Sequence, residues 1–401
     1  MIFPALRVLV PVALVIALVA IGLRIGDALG IGPDPAFTLL AGALFGVLLQ
    51  RSRFCFYCIL RELFEDRDSR ASYGLLVALA VGSLGYVAMF GSWVADPGAG
   101  RLPPDAHIGP VSWVLVVAGL AFGIGMTLSG SCISAHLYRL GEGSVLSPFA
   151  LVGALAGFVL GFASWDHLYV ETISRAPTEW LPARFGYGGA VLLQLAVLGA
   201  LALLLMRRLP ARPARDAAAW RLRAVLDAVF VRRWPAWVGG AGVGMLGFIA
   251  YFRTSPLGVT AELGSRARTL AERLDLIPGR LAGLDGFSGC ATVVIDALMT
   301  ENGVFILALV AGSLAAAIGA GAFRPRRQPL HRYPLALLGG VLMGWGAMVA
   351  LGCTVGVLLS GISAFALSGW VFGAAVVAGV WVSLAVRNRV RMRLSARHPA
   401  G

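Results

Sequence analysis

GLAFGIGMTLSGSCISAHLYRLGEGS, residues 119–144, holds three kinds of chain in one stretch. An apolar run rich in glycine comes first. The small residues of SGSC then break it. A short segment follows, ISAHLYRLG, too brief and too polar to cross a bilayer, whose hydrocarbon core takes about 20 apolar residues. Irregular backbone at membrane depth persists only where protein buries it or where it lines a path. The stretch therefore reads as a spanning helix, a break, and a re-entrant half-helix that begins at Cys132.

Working outward, the chain supports a membrane setting throughout. It has 401 residues, 58% of them hydrophobic and 13% charged, and its mean hydropathy is +0.83. A soluble domain carries about 25% charged residues. Its 52 glycines suit close helix approach in lipid. The net charge of +13 does not point to nucleic acid. Every basic residue is arginine, and the arginines gather at the ends of apolar runs, at 207–215, 221–233, 324–327 and 387–393. That is the distribution of cytoplasmic loops under the positive-inside rule. The apolar N-terminus reads as a retained first helix, because no small-residue cleavage site follows it.

Long apolar runs lie near 6–26, 74–94, 111–129, 146–165, 187–206, 235–252, 303–323, 333–351 and 367–386. Shorter ones lie near 36–50, 54–64, 130–140, 256–264, 287–299 and 353–363. The expectation is an all-α polytopic membrane protein with about nine long helices and several short half-helices around a central path. The stretch WRLRAVLDAVFVRRW (220–234) is expected to form an amphipathic interfacial helix.

The opening stretch has a second copy. GLAFGIGMTLSGSC (119–132) aligns with GVLMGWGAMVALGC (340–353), matching three glycines and the terminal cysteine. GALFGVLLQR (42–51) aligns with GMLGFIAYFR (244–253), which sets Arg51 opposite Arg253. Two blocks in the same order imply duplication, the usual build of transporters. The division is a single transmembrane transport domain over 1–401, with repeat one at about 36–206 and an Arg-rich cytoplasmic linker at about 207–234. Repeat two follows at about 235–386, then a basic tail, 387–401, on the cytoplasmic side. An inverted arrangement is expected, and the parity of spans decides it.

The chemistry centres on the cysteines. Cys132 follows Gly130 and Ser131; Cys353 follows Gly352 and precedes Thr354; Cys290 follows another Ser-Gly. If each opens a short helix, unpaired N–H groups and the positive end of the helix dipole gather there, a design that attracts anions. A free thiol is ordinarily packing. Two at equivalent positions of a duplicated chain ask for more. A thiol ionises near pH ~8.5, so at neutral pH it is an uncharged weak donor. Such donors can hold a soft anion loosely enough to release it, as conduction requires.

Cys55 and Cys58, in RSRFCFYC (51–58), form a CxxC, open to a redox pair or half a metal site. No second ligand pair accompanies it, and no metal or cofactor is expected. Arg51, Arg53 and Arg253 are candidates for attracting an anion at a mouth, or for meeting lipid headgroups. Asp285, Asp296, Glu142 and Glu262 are the acids nearest the short segments. His136 is read as packing or a hydrogen bond.

At LLQRSRFCFYCILRELF (48–64), SGSCISAHLYRLGEGS (129–144) and LGCTVGVLLSGISAFALSGWVFG (351–373) the chain resembles the YeeE/YedE family of sulfur-transport membrane proteins, which includes bacterial thiosulfate importers. The resemblance implies import of thiosulfate or a related anion across the bacterial inner membrane, with no enzymatic activity. It also implies a relay of three thiols, carried over here to Cys55, Cys132 and Cys353, and a cytoplasmic sulfur-carrier protein as partner. Some members of that family are tied to selenium metabolism, so a selenium-containing or other small ion stays open. The reading from another class is a membrane thiol–disulfide oxidoreductase using Cys55 and Cys58, and a metal-ion transporter is the third.

Overall fold

The computed structural model describes residues 34–209, 227–287, 292–295, 297, 299–325 and 327–397, and six positions of the N-terminal run. Those six, Ala13, Leu14, Ile16, Ala17, Ala20 and Ile21, are helical. Cys290, Asp296 and the first part, 220–226, of the interfacial stretch 220–234 lie outside the described residues; Asp227–Phe230 within it is helical.

The described chain is helical and contains no strand. In order, the helices are α1 (Pro35–Ser52), α2 (Phe56–Arg61, continued as a π-helical turn Glu62–Asp66), α3 (Arg70–Trp93), α4 (Trp113–Ser129), α5 (Ile133–Gly141), α6 (Ser147–Glu171) and α7 (Leu181–Met206). Then come α8 (Ala236–Arg253), α9 (Val259–Arg273), α10 (Glu301–Gly319), α11 (Arg332–Val349), α12 (π-helical Thr354–Ser360 continued by Gly361–Ser363) and α13 (Leu367–Arg397).

Seven spans among the described residues are long and apolar enough to cross a membrane, or eight if the bent pair α11–α12 counts as one. Three expectations need correction. Residues 36–50 are not a half-helix but most of α1, whose 18 residues reach about 27 Å at 1.5 Å per residue. The stretch near 256–264 belongs to the longer α9, whose polar outer turns hide it from a hydropathy reading. The described positions of 292–299 are not helical; there the backbone N–H groups of Val293 and Ile295 bond the hydroxyls of Ser265 and Thr269 on α9 instead.

Packing is reciprocal between the two parts of the chain. α1 packs on α10, and α8 on α3; α6 packs on α11, and α13 on α4; α4 and α11 pack on each other. Partners in the aligned blocks run in opposite directions. At one end of α1 and α8, Asp34 pairs with Arg253. At the other, the Trp234 N–H bonds the Arg51 carbonyl at 3.0 Å. Likewise Gly125 meets Gly339, and Ala118 meets Gly346, farther along α4 but back along α11.

Of the glycines in the opening stretch, Gly125 makes this contact, while Gly119 and Gly123 lie against α13. A β-carbon on Gly125 would stand 2.5 Å from the Gly339 carbonyl oxygen, and one on Gly339 would stand 2.6 Å from that of Gly125. Backbone cannot yield there as a flexible side chain can. Gly339→Val is expected to cost about 1–3 kcal/mol of overpacking, read as a lower melting temperature of the detergent-purified protein. Gly247→Ala, whose new methyl meets no atom within 4 Å, is the control and should leave that temperature unchanged.

One end of the bundle collects the arginines. Arg51 donates to the Arg232 carbonyl, the Arg208 carbonyl accepts from Ser69 N–H, Arg324 N–H bonds the Glu142 carbonyl, and Arg387 pairs with Glu65 at 2.7 Å. The opposite end is closed by the 94–112 loop and by Trp180, whose indole N–H bonds the Ala364 carbonyl at 3.0 Å.

Candidate functional site

Three times the chain makes the same local move. A helix ends, one residue or two turn through the left-handed region or beyond it, an extended cysteine follows, and a short helix begins. α1 ends at Arg53 (φ 51°) and α4 at Gly130 (φ 83°); α11 is followed by Leu351 (φ 60°) and Gly352 (φ 152°). Cys55, Cys132 and Cys353 are then the N-caps of α2, α5 and α12. Their carbonyls accept the first helical bonds, from Ile59, His136 and Val357, at 2.9, 2.9 and 2.8 Å. All three are buried, at 0%, 1% and 0% exposure, within one contiguous apolar core. Each thiol thus lies at the positive end of a short helix dipole, in a setting where water does not screen it.

Two of the three lie near each other. The Cys55 sulfur stands 3.6 Å from the Ser131 hydroxyl, and the thiols of Cys132 and Cys58 are both its neighbours. Ser129 holds this turn by donating to the Ser131 carbonyl at 3.0 Å. Cys353 sits on the other re-entrant segment, where the Val355 N–H donates to its sulfur at 3.4 Å. Around it, the Thr354 hydroxyl is buried without a partner, as is that of Thr260 at the start of α9. Thr260 and Gly352 line a cavity of about 10 Å³, room for about one water.

Cys58, expected as a possible additional residue of the path or its mouth, lies at the arginine-rich end. It is half-buried and lines a cavity of about 770 Å³ there. Arg51, Arg53, Arg61, Arg139, Arg233 and Arg324 line it too, against Glu62 and Glu142. Arg139 is the residue that sequence reasoning missed. It reaches back from the last turn of α5, donating to the Gly130 carbonyl at 3.2 Å and to the Cys58 sulfur at 3.1 Å. Its signal was present: it lies seven residues after Cys132, two helical turns along one face. Glu142 accepts from Gln50 at 3.2 Å.

The other candidates separate. Arg51 and Arg53 are at this vestibule, but Arg253 is at the opposite end, paired with Asp34 and lying over the Phe37 ring at 5.5 Å. Asp285 pairs with Arg268 at 3.2 Å, and Glu262 with Arg266 at 2.7 Å. His136 bonds Ser147 through Nδ1 at 3.2 Å. Among the described residues no group of three or more His, Cys, Asp or Glu side chains stands together as metal ligands would.

The end away from the vestibule carries a buried titratable group. His107, in the loop before α4, is buried and its Nδ1 has no partner. It lines a second small cavity with Ser112, Leu351 and Ser368. Burial pushes its imidazole down from 6.5 to about 4. Between those values the unfolded chain takes up the proton first, so stability falls as pH drops through the window and is complete above it. The full effect is about 3 kcal/mol. Melting temperature measured from pH 7 to pH 4 should fall for the unmodified protein and fall less for His107→Gln.

The profile of the Sulphur transport family matches residues 51–382. The chain belongs to that family. The matched residues of this Sulphur transport protein include all three helix-capping cysteines, Cys58 and Arg139. It is 27% identical over 364 residues to the thiosulfate transporter TsuA of Escherichia coli K12, covering 89% of this chain and 96% of that one. To the thiosulfate transporter TsuA of Spirochaeta thermophila it is 29% identical over 356 residues, 86% of this chain and 96% of that one. A shorter match, 26% over 181 residues, covers 43% of this chain and 41% of the probable transporter YedE of Escherichia coli K12. The chain is therefore a multi-pass membrane transporter of a sulfur-transport family.

Proposed function

We propose that this protein imports thiosulfate, or a closely related sulfur-containing anion, across the bacterial inner membrane, handing it along the thiols of Cys353, Cys132 and Cys55. The observation that carries this reading is the threefold recurrence of a buried cysteine at the N-cap of a short helix. Each supplies an S–H donor at the positive end of a dipole, and none supplies a fixed charge that would trap the ion. Two relatives matched over nearly their whole length carry thiosulfate in their names, which supports the choice of anion. The arginine-rich end is read as cytoplasmic, so the anion leaves past Cys58 into the vestibule, and a soluble sulfur-carrier protein would receive it there. The basic tail 387–401 lies on the same side.

The antiparallel pairing of α1 with α8 and of α4 with α11 supports two related halves of inverted topology, with the cysteine turns at their interface. A thiol–disulfide oxidoreductase is the second reading. It is favoured by Cys55 at the N-cap and Cys58 one turn on, a spacing that brings two side chains together.

Growth tests the first reading. A bacterium unable to take up sulfate, given this gene and thiosulfate as its only sulfur source, should grow. Failure to grow while the protein is present in the membrane overturns thiosulfate import. An oxidoreductase would instead leave growth unaffected and cycle Cys55–Cys58 between dithiol and disulfide.

A further inference from the structure

The vestibule is more than an opening. Six arginines face a cavity of about 770 Å³ with only two glutamates among its lining residues, and none of the six forms an ion pair with a carboxylate among the described residues. Arg51 is buried, at 3% exposure. It spends part of its guanidinium on the Arg232 carbonyl, and its Nε has no partner. Arg139 spends one amino group on the Gly130 carbonyl and the other on the sulfur of Cys58. A guanidinium at low dielectric is costly unless an anion meets it, and here the protein supplies carbonyls and a thiol in place of a carboxylate. A guanidinium fork matches an oxoanion with two parallel N–H donors.

We infer that the vestibule is a binding site for a doubly charged tetrahedral sulfur oxoanion, with Arg139 and Arg51 as its principal ligands and the Cys58 thiol as its floor. The site is separate from the three capping cysteines. An oxoanion seated on Arg139 displaces Cys58 from it and covers the exit from Cys55. Oxoanion on this side therefore opposes delivery of the next one, a product-side brake on transport. The inference takes its physiological meaning from the import reading; binding itself does not depend on it.

Cys58 reports occupancy, because Cys55, Cys132 and Cys353 are buried and it is not. The experiment uses the full-length protein in detergent with Cys290→Ser, so that the remaining thiol outside the described residues does not contribute. The rate at which a maleimide alkylates Cys58 is measured with sulfate, and with chloride at matched ionic strength. At sulfate ten times its Kd the rate should slow about tenfold, and chloride should not slow it. The ratio of rates with and without sulfate is taken within each variant, so a changed intrinsic reactivity cancels. Arg139→Gln should abolish the protection, Arg139→Lys should keep part of it, and Cys353→Ala should keep all of it. Slowing by sulfate no greater than by chloride overturns the site, as does undiminished protection in Arg139→Gln. Should sulfate protect Cys58 in a protein that supports no growth on thiosulfate, the site stands and the import reading fails.

Discussion

Replacing Cys132 by alanine should abolish growth on thiosulfate, and replacing Cys58 by alanine should not. Both substitutions remove one sulfur, and neither adds bulk. Cys132 caps α5, is 1% exposed and neighbours Cys55. Its loss leaves the anion one S–H short at a place where no water can substitute. An unmet hydrogen bond to a charged group is worth about 1.5–3 kcal/mol, enough to slow passage by about 10- to 100-fold. Cys58 lies on the wall of a wide, wet cavity, where water replaces a lost thiol. The same pair of variants divides the two readings, because an oxidoreductase built on Cys55 and Cys58 would lose its activity with Cys58→Ala. Membrane levels of each variant, measured by immunoblot, separate lost transport from lost protein.

The second large effect is expected at Gly130. Its φ of 83° is open to glycine and costly for a side chain, about 1–2 kcal/mol and more for a β-branched one. No atom lies within 4 Å of the β-carbon that would be added, so the cost is in the backbone and not in a clash. Relief of that strain rotates the turn that carries Ser131 and Cys132, and moves the carbonyl that Arg139 holds. Gly130→Val should lower thiosulfate uptake at least about tenfold, since displacements near 1 Å at a positioned group cost that much or more. Gly188→Val, on α7 with open space around it, should transport normally. Normal uptake by Gly130→Val would mean that the cysteine turn is not position-critical.

Much of this was legible in the residues. Gly130–Ser131–Cys132 and Leu351–Gly352–Cys353 announce a break followed by a cap, since small residues and left-handed turns are written in local sequence. The matching glycines of α4 and α11 were legible as a repeated block, but not that each set divides between two neighbouring helices. Hydropathy placed the long runs but misjudged α1: Asp34 at its start and Arg51 at its end made 36–50 look too short to span. It also shortened α9, whose later turns carry Arg266, Arg268, Glu272 and Arg273. Arg139 was hidden because its role is tertiary. Nothing local says that a guanidinium at the end of α5 folds back onto Gly130 and Cys58. The place of Arg253 was hidden in the same way: alignment makes it the counterpart of Arg51, and antiparallel packing carries it to the far end, onto Asp34. Charge pairing of that kind depends on which helices become neighbours, and composition does not state it.

The most direct measurement is uptake of radiolabelled thiosulfate into liposomes that contain only the purified protein. Saturable uptake is expected, competed by unlabelled thiosulfate, lost in Cys55→Ala, Cys132→Ala and Cys353→Ala, and retained in Cys58→Ala. Undiminished uptake after loss of any of the three buried thiols, or no uptake by the unmodified protein, would contradict it.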